Sequence, residues 1–278
     1  MPIRTRFWAE LRWPEFRDLP ENTVAVLPIA ATEQHGPHLP VSTDQTINAG
    51  ILARALTHCP PELPLLVLPH QAVGLSVEHL AFPGTLTLDE EGFLALVTAI
   101  GASVARAGVR RLVVMNAHGG NGAMLEVACR RLRAAHRILA VSAHWDRMGR
   151  PGELADPLEA RYGIHAGRDE TALMLRLSPQ DVDRAAMADF PSARRPLEEQ
   201  APAIASSLGA TLAWQAQDLN PAGAVGNAAK ATAEMGEALL DFAARRMAGL
   251  WRQVAAVDLD AWLRDMPGDM NGGISGAP

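Results

Sequence analysis

Cysteine is scarce in this chain of 278 residues: only Cys59 and Cys129 are present. They form no metal-ligand motif, and two reduced thiols in a cytoplasmic protein are expected. Long apolar runs are lacking as well. No stretch approaches the length of a membrane-spanning helix, and Met1-Pro2-Ile3-Arg4-Thr5-Arg6-Phe7 has no apolar core of a leader peptide. Neither membrane insertion nor export is expected. Single-sign charge runs are missing too: 25 basic and 31 acidic residues give a net charge of −6. That balance argues against a nucleic-acid footprint. No internal repeat is seen, and a single domain over 1–265 is expected, with a Gly-rich, disordered tail over 266–278.

What is present is an alternation of apolar strands and helical periodicity. Val24–Ala31, Leu65–Leu68, Arg111–Met115 and Ile138–Ser142 read as buried strands. Helical patterns follow over roughly 44–57, 90–107, 124–132, 166–177 and 228–254. Thr87-Leu88-Asp89-Glu90 has the form of a capping box for the second of these, and Gly108 suits its end. Residues 180–224 read as irregular. Strands alternating with helices predict an α/β fold with a mainly parallel central sheet covered on both faces. Ligands bind such sheets outside the carboxyl ends of the strands. Polar clusters stand at those ends: Glu33 and His35 after the first strand, His118 after the third, His144 and Trp145 after the fourth.

Glu33 and His35 are two apart and project to one side of an extended segment. With Asp44, His118 and Glu170 they make three carboxylates and two imidazoles, a donor set suited to Zn, Mn or Fe(II). The set is too large for one open catalytic zinc and suits two ions sharing a carboxylate. A purely structural reading stands beside it, with Asp44 as a helix cap and Glu170 as a helix-start charge. The long loop over 69–85 carries Glu78 and His79, and loops of that length tend to be functional.

Five segments carry a resemblance. Glu33-Gln34-His35-Gly36-Pro37-His38-Leu39-Pro40 with Thr43-Asp44, Glu78-His79 with Phe82-Pro83-Gly84-Thr85, and Asn116-Ala117-His118-Gly119-Gly120-Asn121 are three of them. His165-Ala166-Gly167 with Glu170-Thr171, and Gly226–Gly236, complete the set. Together they resemble the creatininase (creatinine amidohydrolase) family over roughly residues 10–250. The resemblance implies a three-layer α/β/α fold, two divalent metal ions, hydrolysis of amide-type C–N bonds, and a homo-oligomer that is often a hexamer. It also implies that Glu33, Asp44 and His118 hold one metal while His35 and the shared Asp44 hold the other. His165 matches the histidine that shuttles a proton, a role imidazole suits near neutral pH.

Two departures follow. The namesake pattern takes its last ligand from a Glu two positions after the histidine of the third segment, where this chain has Gly120; that ligand is assigned to Glu170. Of the two tryptophans at the namesake's substrate, Trp145 matches one, and the other falls at Arg161. The namesake's tyrosine near the metal falls at Gly119. Creatinine is therefore not the favoured substrate. A cyclic amide or lactam, a formamide or a short peptide is expected instead, contacted by Trp145, Glu78, His79, Gly119, Gly120 and His38. Arg161 and Arg168 read as surface arginines. Ring-opening of a sugar-like cyclic ketone, and a non-catalytic binding protein on the same fold, are the rival readings.

Overall fold

The structure, a computed structural model, describes residues 3–204 and 210–263. The tail expected to be disordered lies outside these residues. Val24–Ile29 (β1), Thr43–Thr57 (α1), Leu65–Val67 (β2), Glu90–Arg106 (α2), Arg111–Asn116 (β3), Gly122–His136 (α3) and Leu139–His144 (β4) alternate through the first half. Pro157–Tyr162 (α4), Arg168–Leu177 (α5), Asp189–Phe190 (β5), Arg194–Gln200 (α6), Ala216–Leu219 (α7), Gly226–Asn227 (β6), Ala233–Ala256 (α8) and Leu259–Trp262 (α9) follow.

β1 to β4 form a parallel sheet in the order β2-β1-β3-β4. Period-two alternation sorts their side chains between two apolar cores. Val24, Val26, Val113 and Met115 pack with Ile47 and Ile51 of α1, Leu173 of α5, and Leu240 and Trp251 of α8. Ala25, Leu27, Ile29, Leu112 and Val114 pack on the other face with Phe93 and Val97 of α2 and Leu125 and Leu132 of α3. The result is the three-layer α/β/α arrangement. Among the described residues, no helix is long and apolar enough to cross a membrane.

The register fixes where the site lies. Ile29 of β1 is level with Asn116 of β3, and Asn116 is level with His144 of β4. The loops that leave these three residues therefore emerge together at the carboxyl edge of the sheet. Asn48 from α1 closes that edge by donating to the carbonyls of Ile29 and Met115, both at 2.9 Å.

Three boundaries differ from the sequence reading. The cap of α2 is Asp89, whose carboxylate accepts the Gly92 N–H at 2.7 Å. Thr87 is occupied elsewhere, accepting from Ser76 N and donating to the Leu88 carbonyl. α8 starts at Ala233, capped by Thr232, because Ala228–Lys230 form a separate 3-10 turn. The irregular stretch over 180–224 contains α6, α7 and the β5 strand that pairs antiparallel with β6.

Candidate metal centre and active site

Asp44 is the second residue of α1, and that helix has no side-chain cap. Its carboxylate points instead into the sheet edge, so the capping role is taken by nothing. Oδ1 lies 3.3 Å from His35 Nε2, and Oδ2 lies 3.4 Å from His118 Nδ1. Each oxygen of one carboxylate thus faces a different imidazole. Glu33 Oε1 stands 3.1 Å from the same His118 Nδ1, and Glu170 Oε2 stands 3.9 Å from His35 Nε2. The five residues converge from β1's exit loop, α1, β3's exit loop and α5.

Backbone carbonyls decide which nitrogen each ring offers. His35 Nδ1–H donates to the Glu33 carbonyl at 3.0 Å, leaving Nε2 for the centre. His118 Nε2–H donates to the Leu75 carbonyl at 2.9 Å, leaving Nδ1. Partners of this kind orient metal-binding histidines elsewhere. His165 Nε2–H donates to the Gln34 carbonyl at 2.8 Å, and its Nδ1 faces Glu33 Oε1 at 3.6 Å.

Charge balance tests whether this donor set fits a metal. Both oxygens of Glu33, Nε2 of His35 and Oδ2 of Asp44 are buried with no hydrogen-bond partner. Among the described residues, every ion pair that Glu33, Asp44 and Glu170 make is with an imidazole, and none is with Lys or Arg. Buried carboxylates without such compensation are costly. Divalent cations supply it, and oxygen with imidazole nitrogen is the donor mix that zinc and its neighbours accept. Ligand atoms of Glu33, His35 and Asp44 lie within 4.8 Å of one another, as do those of His35, His165 and Glu170.

The titration shifts report the same crowding. Burial opposes the charge on His35, but Asp44, Glu170 and Glu33 outweigh it and push its pKa up to about 9. Burial likewise opposes charge on His118, and Glu33, Glu78 and Asp44 raise it well above the ordinary value. Burial raises the Glu170 carboxyl to about 7, against the pull of His35. For His165, burial and then the charges of His35 and His79 hold the ring well below its ordinary value, so it is neutral at pH 7. Ala166, next to it, adopts a left-handed φ of 52° that few non-glycine residues take. That turn brings its N–H to Glu170 Oε2 at 2.6 Å, strain held beside the site.

Over this cluster lies a cavity of about 310 Å³, with Glu78, His79, Gly119, Gly120, His165 and Glu170 in its wall. His144, Arg147 and Trp214 also line it. A larger groove of about 630 Å³ between α4, α6 and β5 holds none of the metal-type cluster.

Several residues sit elsewhere than expected. Trp145 is 5 % exposed and packs into the apolar core, outside the cavity lining; Trp214 is the tryptophan that lines the cavity. His38 is buried, bonded through Nε2 to Thr171 Oγ1 at 2.9 Å and stacked on Phe190, so it packs the loop. Burial and then the charge of His35 lower its pKa to about 4. Arg168 is buried against Asp169 and the Leu154 carbonyl, and Arg161 pairs with Glu198; neither faces the cavity. Asn121 has no role in the sequence reading beyond its place in the His118 segment. It is fully buried, accepting from Leu75 N and donating to Asn116 Oδ1, which ties the 69–85 loop to the His118 loop.

Residues 9–251 match the model of the family described as creatininase, creatinine amidohydrolase. The chain belongs to this family. Mycofactocin precursor peptide peptidase of Mycobacterium tuberculosis is 41% identical over 165 residues, 56% of this chain and 59% of that protein. The chain thus matches about three-fifths of the length of that curated relative. Creatinine amidohydrolase of Pseudomonas putida is 32% identical over 209 residues, 68% of this chain and 78% of that protein. A solved creatininase variant of Zn–Zn type superposes with a TM-score of 0.69 at 26% identity, covering 90% of this chain and 98% of that one.

Against the family pattern, the assignment of the last ligand is the sharpest local difference. Gly120 leaves room that a neighbouring carboxylate takes: a Cβ there would lie 2.3 Å from Glu78 Oε1. Glu78 Oε1 is 3.4 Å from His118 Nε2, on the opposite side of the ring from Glu33 and Asp44. Glu170 Oε2 lies instead 3.9 Å from His35 Nε2, the nitrogen that also faces Asp44.

Proposed function

We propose that this creatininase-family protein hydrolyses an amide-type C–N bond using two divalent metal ions, Zn, Mn or Fe(II). A cyclic amide or lactam, a formamide or a short peptide is the substrate. One observation carries the reading: Asp44 presents its two oxygens to two different imidazoles, among buried carboxylates that no Lys or Arg of the described residues neutralises. That is the arrangement of a shared ligand. Glu33 and His118 would complete one position, and His35 and Glu170 the other.

When bound, such ions supply Lewis acidity that polarises a carbonyl and makes a water easier to deprotonate. The chain's residues do the rest. His165 is neutral, with Nδ1 bare and its other nitrogen fixed on the Gln34 carbonyl, so it can take a proton and return it. In the overall reaction water adds to the amide carbon, the C–N bond breaks, and that proton leaves on the nitrogen. Gly119 and Gly120 let a substrate lie close to the backbone beside His118. Trp214 adds an apolar wall to the cavity. The reading includes a homo-oligomer, supported by the family likeness and by Leu158, 56 % exposed beside the larger groove. It also includes a cytoplasmic location, supported by two unpaired thiols.

The test is metal content per chain by elemental analysis after reconstitution, followed by a panel of lactams, formamides and short peptides. Close to two ions per chain are expected, fewer in Asp44→Ala, with hydrolysis abolished. His165→Ala should keep its metal and lose about 10²–10⁴-fold in turnover. No metal after reconstitution, or full turnover in His165→Ala, would overturn the reading.

A further inference from the structure

Gln34 stands between Glu33 and His35 in the chain, and its side-chain amide lies under the site without lining the cavity. Its orientation is decided by two backbone groups that have no choice of role. Gly36 N–H donates to Oε1 at 2.9 Å, and Nε2 donates to the Gly223 carbonyl at 2.8 Å. Gly223 has φ of 78°, and a Cβ there would meet Oε1 at 2.3 Å, so the amide is held closely. One N–H of Nε2 remains. Its near partners are His79 Nδ1 at 2.8 Å and His165 Nε2 at 3.2 Å. His165 Nε2 already carries a hydrogen, donated at 2.8 Å to the Gln34 carbonyl, which can only accept. The remaining N–H therefore goes to His79 Nδ1, which must be a bare lone pair.

We infer that Gln34 is a positioning residue that places the proton of neutral His79 on Nε2, the nitrogen nearer Glu33, and so keeps His79 from binding metal. Nε2 lies 3.3 Å from Glu33 Oε1. Without this constraint His79 would be a competitor, since Glu33, His79 and His165 bring ligand atoms within 4.8 Å of one another. With it, the His79 nitrogen nearest Glu33 carries a hydrogen, while the His165 nitrogen on that side is bare. One glutamine thus gives two neighbouring histidines opposite roles, through its side chain for His79 and its carbonyl for His165. No ionisation is involved, because the ring has the same charge in both tautomers.

The inference rests on the hydrolase reading only for its consequence on turnover. The decisive measurement is long-range proton–nitrogen NMR on ¹⁵N-histidine-labelled protein, metal-free and zinc-loaded, with His79 assigned from a His79→Gln sample. The expected spectrum has Nε2 protonated and Nδ1 bare for His79 in both states. A proton on Nδ1, or Nε2 bound to zinc, overturns the inference, whatever the enzyme's substrate. In Gln34→Glu, Nδ1 meets an acceptor instead of a donor, and the proton should move to Nδ1. A purely structural glutamine would leave the tautomer unchanged in that variant. On a substrate found by the panel, Gln34→Glu should lower kcat by about 10–100-fold, as loss of partners around a metal site does, with KM nearly unchanged. If that variant does not fold, the spectrum of the parent protein still decides.

Discussion

At the scale of single residues, the absence of a side chain at Gly120 is as consequential as any ligand. A Cβ there would lie 2.3 Å from Glu78 Oε1, 2.4 Å from His118 Nε2 and 2.7 Å from the Leu75 carbonyl. Those last two atoms are the hydrogen bond that turns His118 Nδ1 toward Glu33 and Asp44. Gly120→Ala should therefore tilt the ring and weaken zinc binding by about 10–100-fold, measured by competition with a chromophoric chelator. Its fold should survive, since the crowding cost is about 1–3 kcal/mol. Unchanged zinc affinity in a folded variant would show that His118 is not oriented this way. The acidic and imidazole residues of the cluster were legible in the sequence because their chemistry is costly to bury without purpose. Gln34 and Asn121 were not. Neutral amides carry no such signal, and Gln34 acquires its role largely from contacts 45, 131 and 189 positions away.

At the scale of elements, α5 must hold Glu170 in place against its own burial. Arg168 and Asp169, the residues before it, are both buried and paired, and Arg150 reaches Asp169 from the preceding loop. Arg168 also donates to the Leu154 carbonyl at 2.8 Å and lies 3.6 Å from Asp156. The segment over 150–156 is thus fastened to the start of α5. Removing one partner of a buried pair leaves an uncompensated charge, at about 3–5 kcal/mol. Asp169→Ala should cost near the lower end of that range in urea unfolding, because Arg168 keeps its other partners, and should loosen metal binding through Glu170. A loss below about 1 kcal/mol, the range of an exposed pair, would contradict the network. Sequence alone made Arg168 a surface arginine, since an Arg at a helix start usually is one. Trp145 was misplaced for a related reason. Periodicity located the strand end but not which way the chain turns after it, and the tryptophan turned into the core. Strands, their order of appearance and the sheet edge were readable from apolar runs; caps and tertiary partners were not.

At the scale of the whole molecule, the site couples stability to pH and to metal. The folded protein holds His35 at about 9 and His118 well above its ordinary value, against 6.5 for a free ring. Their contribution is complete below pH 6.5 and is lost as pH rises through the folded values. Glu170, raised to about 7 from 4.5, works in the same direction, because ionising it in place is unfavourable. His38, His79 and His165 are depressed by burial first of all and give the opposite slope, but only below about pH 6.5. Between about pH 7 and 8.5 the raised group therefore dominates, and the metal-free protein should lose thermal stability as pH rises. Divalent cations compete with protons for the same lone pairs, so zinc should reverse the trend. The gap in Tm between zinc-loaded and metal-free protein should widen steadily across that window. Calorimetric titration in buffers of different ionisation enthalpy should show protons released on binding. A metal-free Tm that is flat or rising from pH 7 to 8.5 would mean that the imidazoles of His35 and His118 do not share protons with Asp44, Glu33 and Glu170. The electrostatic case for a cation at this sheet edge would then fall with it.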